Sequence, residues 1–298
     1  MRSPLLFAVP FALAASFVQA QSLPEAMQQA LDVHPEIQAG VNSRLAADYQ
    51  LRAAKGGYLP KVDLLGGYGR EGTDSVTTRA NSGNHYETLN RSESSLRLSQ
   101  MVFDGFATSS EVGRQQATVN SRAYSLLGTS ERTALTVAQV YLDVLTRREF
   151  VRLAEENLKS HQRIYDQIQL RTQRGVGSGA DLDQAEARMA QARNNLITEQ
   201  TNLADSETNF LSAVGQMPDQ LERPAPFMAM MPANLNEART QMLENSPILR
   251  SAESDIAAAE KQYEAAKSSF YPRFDAELGR TADNDLDGLR ERIYAPDV

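Results

Sequence analysis

The chain has 298 residues, a formal net charge of −8 and a sequence pI near 5.1, with 41% hydrophobic and 23% charged residues. This acidic balance argues against nucleic acid as a partner, because the phosphate backbone attracts basic surfaces. The chain contains no cysteine, which excludes disulfide bonds, thiolate metal sites and a lipid anchor on an N-terminal cysteine.

Residues 1–20 are predicted to be a secretory signal peptide. Arg2 supplies the positive start, residues 5–18 are apolar, and Val18-Gln19-Ala20 is an acceptable cleavage site. A membrane anchor is the weaker interpretation, because the apolar run is too short to span a bilayer comfortably. We therefore expect an exported protein whose mature chain begins at Gln21.

Two helices and two strands are predicted next. The helices cover residues 23–33 and 35–55, since Pro35 is favoured at a first helical position and a glycine pair follows the second helix. Alternation of apolar and polar residues then predicts strands at 61–70 and about 88–103, joined by a polar loop. This pair suits a transmembrane β-barrel hairpin, and a soluble β-hairpin remains open as the alternative.

Residues 106–215 contain no proline and are predicted to form a long helical hairpin. Its one break is the segment 174–180, where three glycines in five positions stop a helix. At ~1.5 Å per residue the first arm is roughly 100 Å long and the second roughly 50 Å. The two short helices 35–57 and 181–215 together match the long arm, which predicts a rod with strands at one end and the glycine turn at the other.

The second arm carries an apolar seam with the three-four spacing of a coiled coil. Its members are Leu182, Ala185, Met189, Ala192, Leu196, Leu203, Phe210 and Ala213. Glu199 and Ser206 are polar exceptions in this seam, and Arg147 and His161 interrupt the matching stripe of the first arm. A long soluble coiled coil is the alternative to a helical barrel.

The chain repeats itself with a constant shift of 212 positions, so that Pro35 recurs as Pro247 and Pro60 as Pro272. An ungapped repeat of this length indicates a duplicated structural unit. The predicted domains are the signal peptide (1–20), a first repeat (21–217), a linker (218–233) and an incomplete second repeat (234–298). We expect no fourth strand in residues 283–298, and hence a truncated chain that does not assemble a conducting trimer.

These features together resemble the TolC-like outer-membrane channel family, and within it the outer-membrane components of type I secretion, including adhesin exporters. The local matches are Ala53-Ala54-Lys55, Val102-Phe103-Asp104-Gly105, Ser246-Pro247, and above all residues 174–181, Arg-Gly-Val-Gly-Ser-Gly-Ala-Asp. The resemblance implies a mainly α fold with transmembrane β-strands. Long antiparallel helical hairpins form an α-barrel, joined to an outer-membrane β-barrel.

The resemblance also implies partners and a location. Three copies form one channel in outer-membrane lipid, with a periplasmic helical extension, and the channel meets a periplasmic adaptor and an inner-membrane ABC or other pump. The glycine turn is the expected adaptor-docking tip, with residues Gly175, Val176, Gly177, Ser178, Gly179 and Ala180. By position, Asp183 matches an aspartate that helps to close the tunnel in relatives. Both Asp181 and Asp183 also suit a helix N-terminus through its dipole.

An enzyme is not expected, because the three histidines lie in different predicted elements and no metal-ligand or phosphate-loop spacing occurs. No cofactor is expected either. Two alternatives to a type I secretion channel remain: a multidrug-efflux channel, and, from another class, a periplasmic coiled-coil adaptor. The unequal arms and the internal repeat argue against the adaptor, and the cargo cannot be read from the sequence.

Overall fold

The computed structural model describes residues 21–82, 86–226, 231–285, 287–288, 290 and 292–297. The predicted signal peptide lies outside these residues, as does part of the predicted linker. The chain forms two compact units, one from the described residues within 1–39 and 128–240, the other from those within 40–127 and 241–298.

Seven α-helices, one short 3-10 helix (Ser268–Phe270) and four strands are found in the described residues. The helices are α1 (Leu23–Val33), α2 (Pro35–Gly56), α3 (Val76–Ser82), α4 (Ala107–Gln173), α5 (Gly179–Val214), α6 (Leu235–Asn245) and α7 (Pro247–Lys267). The strands are β1 (Lys61–Thr73), β2 (Glu87–Phe103), β3 (Phe274–Asn284) and β4 (Arg292–Asp297). No helix within the described residues is long and apolar enough to cross a membrane.

Two sequence expectations in the strand region were wrong. The segment predicted as a polar loop contains the end of β1 and the helix α3, where the Ser75 hydroxyl accepts a hydrogen bond from the Thr78 backbone N–H at 3.2 Å. More important, the end of the chain does form a fourth strand. β4 pairs antiparallel with β3 from Gly279↔Asp297 to Asn284↔Arg292. The expectation that the chain does not assemble a conducting trimer rested on a missing fourth strand, and it therefore loses that premise.

In the first unit, α1 packs against both arms of the α4–α5 hairpin. Its buried core consists of Ala26 and Ala30 of α1, Val137, Tyr141 and Val144 of α4, and Phe210 and Val214 of α5. The Tyr141 hydroxyl reaches two backbone carbonyls, Gln21 O at 2.7 Å and Glu222 O at 2.6 Å. A buried tyrosine with its hydroxyl paired in this way fastens both the N-terminal segment and the segment after α5 to α4.

Contacts within the same hairpin satisfy Glu199 and Ser206, the two polar residues in the apolar seam of α5. Ala192, Ser206 and Phe210 are buried, as the three-four spacing predicts. Arg147 Nη1 of α4 lies 3.9 Å from Glu199 Oε2 of α5, so the polar exceptions of the two arms face each other. The Ser206 hydroxyl donates to the Leu203 carbonyl of its own helix at 2.9 Å, which satisfies it inside the seam.

In the second unit, the four strands form one antiparallel sheet in the order β1-β2-β3-β4. Its register puts Gly67, Glu93 and Asp283 in one row across β1, β2 and β3, and Leu64 and Leu96 opposite each other. Because side chains alternate between faces, the sheet has an apolar face and a charged face. The apolar face carries Val62, Leu64, Tyr68, Leu96, Leu98, Leu278 and Tyr294, together with Arg70 and Arg280. The charged face carries Asp63, Glu71, Arg91, Glu93, Arg97, Glu277 and Asp283, together with Leu65 and Ile293.

A glycine-containing junction joins β2 to α4 in this unit. The Asp104 carboxylate accepts hydrogen bonds from the Thr108 backbone N–H at 2.7 Å and from the Thr108 hydroxyl at 2.5 Å. Gly105 has φ +66, and a Cβ there would lie 2.6 Å from the Ser268 carbonyl oxygen. Asp104 therefore caps the first turn of α4, and Gly105 allows the backbone just after α7 to approach the junction closely.

Candidate functional site

The turn between α4 and α5 is the site that the sequence singled out, and local backbone rules account for its shape. Gly175 has φ +77, and its N–H donates to the Thr172 carbonyl at 3.0 Å. The Val176 N–H donates to the Arg171 carbonyl at 3.1 Å. These two bonds with a left-handed glycine form a Schellman motif, which satisfies carbonyls that the end of a helix leaves unpaired.

The three glycines of this turn have three different roles. Gly175 supplies the left-handed conformation that ends α4. Gly177 packs against the end of that helix, since a Cβ there would lie 2.7 Å from Thr172 Oγ1 and 2.8 Å from the Thr172 backbone nitrogen. Gly179 begins α5, and a Cβ there would meet nothing within 4 Å. Only Gly179 could therefore carry a side chain without disturbing the turn.

The surface of the turn is accessible. The Val176 side chain is 70% exposed, and Gly175, Ser178, Gly179 and Ala180 are exposed as well. Ser178 is the N-cap of α5 with extended backbone, but its hydroxyl makes no capping hydrogen bond. The exposed Val176 side chain can make apolar contacts with a second polypeptide. The exposed glycine backbone and the Ser178 hydroxyl beside it can form hydrogen bonds with that polypeptide.

A cleft of about 300 Å³ lies between the arms, directly beside the turn. Apolar and charged side chains share its lining, which consists of His161, Ile164, Ile168, Arg171, Val176, Gly177, Ser178, Asp181, Gln184, Ala185 and Arg188. The histidine that interrupts the seam of the first arm thus belongs to this cleft. Sequence reasoning missed Arg171 and Arg188, and the signal that could have found them is their helical spacing from His161 and from the turn.

The two aspartates near the start of α5 occupy different surroundings. Asp181 lies in the first turn of the helix and lines the cleft. Asp183 lies beyond the first turn, is exposed, and has no ion pair among the residues that the structure describes. Because the dipole effect falls off within the first turn, it favours Asp181 more than Asp183. Asp183 therefore remains accessible to another chain.

The described residues contain no group of three histidines or carboxylates that could hold a metal ion. The turn and its cleft bring together exposed backbone groups, aliphatic side chains and the polar side chains of His161, Arg171 and Asp181. An exposed turn that combines apolar and polar groups in this way suits protein recognition.

Comparison with known proteins agrees with this architecture. The profile of the outer membrane efflux protein family matches residues 26–216. The outer membrane efflux protein BepC of Brucella suis is 24% identical over 225 residues, which is 76% of this chain and 47% of BepC. Protein CyaE of Bordetella pertussis is 28% identical over 215 residues, 72% of this chain and 44% of CyaE. The chain thus spans about half the length of these curated relatives.

Solved structures show the same fold. CusC superposes with a TM-score of 0.73 at 17% identity, over 95% of this chain and 68% of the CusC chain. The CmeC outer membrane channel of Campylobacter jejuni superposes with a TM-score of 0.72 at 15% identity, over 92% of this chain and 60% of the CmeC chain. The predicted TolC-like fold is confirmed, and the matched family and fold are those of channel proteins rather than enzymes or adaptors. The chain belongs to the outer membrane efflux protein family.

Proposed function

We propose that this chain is the outer-membrane channel component of an export system, most specifically of type I secretion, which passes cargo from an inner-membrane pump across the periplasm and the outer membrane. The sheet would lie in the outer membrane and the helical hairpin in the periplasm. The observation that carries this proposal is the two-faced sheet.

The apolar face of that sheet is unlike the surface of a soluble protein. On the apolar face Leu64 is 78% exposed, Tyr68 is 80% exposed and Leu278 is 58% exposed. Exposed aliphatic and aromatic residues of this density need another apolar surface to cover them. The opposite face carries ion pairs such as Arg91 with Glu71 and with Glu93. A sheet with one apolar and one charged face separates lipid from water, as transmembrane strands do.

Three copies would complete the channel. The described sheet has two edges, β1 and β4. In lipid, each unpaired backbone group on such an edge raises the free energy by roughly several kcal/mol. Pairing β4 of one copy with β1 of the next would satisfy both edges in a closed ring. The same trimer would present three exposed turns, Gly175 to Ala180, to a periplasmic adaptor bound to an ABC or other pump.

The surroundings of the charged face and of the apolar face can be tested separately with single introduced cysteines, because the chain has no native cysteine. Single cysteines at Leu64 and at Glu93 would each be labelled with a fluorophore in outer-membrane vesicles. We expect brominated lipids to quench the label at position 64, and a water-soluble quencher to reach the label at position 93. Equal quenching of both labels by the water-soluble agent would contradict a membrane-embedded sheet.

The cargo separates type I secretion from drug efflux. The relatives favour neither cargo alone, since they include a toxin and drug export protein of Aggregatibacter actinomycetemcomitans and pyoverdine export outer membrane proteins of Pseudomonas. Expression in a strain that lacks its own outer-membrane channel, together with a type I pump, its adaptor and its protein substrate, would measure secretion. Restored drug resistance without protein secretion would favour the efflux alternative.

A further inference from the structure

The apolar face of the sheet carries two arginines, Arg70 of β1 and Arg280 of β3. Both side chains are exposed, and neither has an ion pair within the part of the chain that the structure describes. Register places the acidic residues of β1, β2 and β3 on the opposite face: Asp63, Glu71, Glu87, Glu93, Asp275, Glu277 and Asp283. Because an arginine is always charged, these three strands leave positive charge on the apolar face without a carboxylate to offset it.

Exposed aromatic side chains mark both ends of this face. Phe274 begins β3 near the start of α4, and Tyr68 lies in the row of Asn284 at the loop end of β3. At ~3.4 Å per residue and a strand tilt of about 40°, positions 274 and 284 lie roughly 26 Å apart along the membrane normal. This height matches the lipid-facing band of a transmembrane sheet, about 25 Å. Arg70 lies one row beyond Tyr68, at the level of lipid headgroups.

Arg280 begins deeper in the band but extends toward the same boundary. Its backbone lies in one row with Leu64 and Leu96. Its guanidinium stacks over the ring of Tyr294, 6.0 Å from the ring centroid, and Tyr294 pairs with Ala282 one row nearer the loop end. An arginine that faces lipid is destabilising unless its charged group reaches a polar partner, and its long aliphatic stem allows that reach. The direction of the Arg280 side chain therefore indicates a partner at the loop end of the face.

The loop half of this face is polar as well as basic. Asn90, Ser92 and Ser94 of β2 share the face with the two arginines. The outer patch is defined as the side chains of Tyr68, Arg70, Asn90, Ser92, Ser94, Arg280 and Tyr294. Guanidinium groups bind phosphate through paired charge-assisted hydrogen bonds, and hydroxyl and amide groups bind sugar hydroxyls. The chemistry of the outer patch therefore fits a phosphorylated sugar.

We propose that the outer patch binds the phosphorylated sugar headgroup of a glycolipid in the outer leaflet of the membrane. The inference rests on the proposed function, which puts the apolar face in lipid and the helices in the periplasm. Register separates Arg70 from Arg280 by six residues along the strands, roughly 20 Å, so the two arginines would contact separate phosphate groups. A phospholipid of the periplasmic leaflet is a poorer occupant, because the rows nearest the helices carry Val62, Leu98 and Leu278 and no charge.

Fluorescent lipid A with two phosphates serves as the probe, and its binding to the full chain in a neutral detergent would be followed by fluorescence anisotropy. We expect saturable binding that Arg70→Gln and Arg280→Gln each weaken by roughly tenfold, because each substitution removes charge-assisted hydrogen bonds to phosphate. Arg97→Gln is the matched control, since Arg97 is an exposed arginine on the charged face and its loss changes the net charge equally. Circular dichroism should show the same fold in all three variants, because the three side chains are exposed.

Competitors identify the source of the phosphate. Unlabelled lipid A with two phosphates should displace the probe, whereas dephosphorylated lipid A, phosphatidylglycerol and inorganic phosphate at the same concentration should not. Absence of binding, or an equal loss of affinity in Arg97→Gln, would overturn the proposal. Displacement by dephosphorylated lipid A would overturn it because phosphate would not be recognised. Displacement by phosphatidylglycerol or by inorganic phosphate would overturn it because the glycolipid would not be the occupant.

The fluorescent label at position 64 separates failure of this inference from failure of the proposed function. Quenching of that label by brominated lipids, with lipid A binding that neither arginine substitution weakens, would overturn the inference and leave the membrane-embedded sheet in place. Quenching of that label by the water-soluble agent alone would overturn the proposed function, and the inference with it.

Discussion

Arg147 and Glu199 face each other across the hairpin, with Arg147 Nη1 3.9 Å from Glu199 Oε2. Each is a polar interruption in the apolar seam of its own arm, and neither is fully buried. Arg147 has a second partner in Asp143, at 3.4 Å on the same helix. The pair therefore helps to fix the register between α4 and α5 and contributes little to the stability of the hairpin.

The first prediction concerns this pair. Glu199→Ala should destabilise the hairpin by only ~0.2–1 kcal/mol, because the pair is partly exposed and Arg147 keeps Asp143. Glu199→Leu should be neutral or stabilising, because it completes the apolar seam. Thermal unfolding by circular dichroism measures both. A loss above ~2 kcal/mol for Glu199→Leu would show that the ion pair stabilises the hairpin more than apolar packing could.

The second prediction concerns the glycine turn, where the choice of the substituted glycine decides what an export assay can show. A bulky residue at Gly177 would collide with Thr172 and disturb the turn itself, so lost export would not identify a docking surface. Gly179→Val should instead leave thermal stability unchanged and reduce export, because its side chain would project from the exposed surface at the start of α5. Gly177→Val should lower both.

Export assays in a full-length channel, combined with adaptor cross-linking at Val176→Cys, would distinguish these outcomes. Glu186→Val is a useful control, since residue 186 is an exposed position of α5 that lies outside the cleft and the turn. Normal export by Gly179→Val would show that the exposed turn is not the docking surface.

The third prediction concerns Asp183. If this exposed carboxylate makes a closing contact with another chain, Asp183→Ala in a full-length channel should raise single-channel conductance. Loss of such a polar link costs about 1–3 kcal/mol, which is enough to shift a closed-open equilibrium. Asp181→Ala is the comparison, because Asp181 lies in the first helical turn and should affect the stability of α5 more than conductance. Unchanged conductance in Asp183→Ala would remove the gating role.

The fourth prediction concerns acid and the Asp104 cap. Burial is the largest single influence on the pKa of Asp104 and raises it, but hydrogen bonds from the Thr108 hydroxyl, the Thr108 N–H and the Ala107 N–H together lower that pKa below its ordinary value. A lowered pKa in the folded state means that the stabilisation is present above the unfolded pKa of 3.8 and is lost as pH falls through the folded value.

Asp104→Ala should therefore cost about 1 kcal/mol at neutral pH, the usual cost of a lost helix cap. The difference from the unsubstituted chain should shrink below about pH 4, as the native carboxyl becomes protonated. Unfolding curves at neutral and acidic pH measure it, with Asp104→Asn as the control that keeps an acceptor without a charge. A difference that stays constant down to the lowest pH would mean that the charge of Asp104 contributes nothing.

The sequence by itself determined the first two strands and the helices other than α3. Pro35, the break around Gly175 and Gly177, and the left-handed Gly215 after α5 are local signals, so helix ends predicted from them lie within a few residues of the observed ones. The three-four spacing also predicted the burial of Ala185, Ala192 and Phe210 of α5, though not that of Val214, because helical geometry decides which positions share a face.

Only the tertiary structure decided the rest. β4 has too weak an alternation to be seen in isolation, and it exists because β3 offers a free edge with which residues 292–297 pair. The same helix sequence pattern in α2 and α7 uses different faces against α4, since each helix packs on a different side of α4. The tertiary structure also decided the separate roles of Gly175, Gly177 and Gly179, because they depend on a backbone path that composition does not specify. It likewise decided the contact of Arg147 with Glu199, because these residues are distant in sequence.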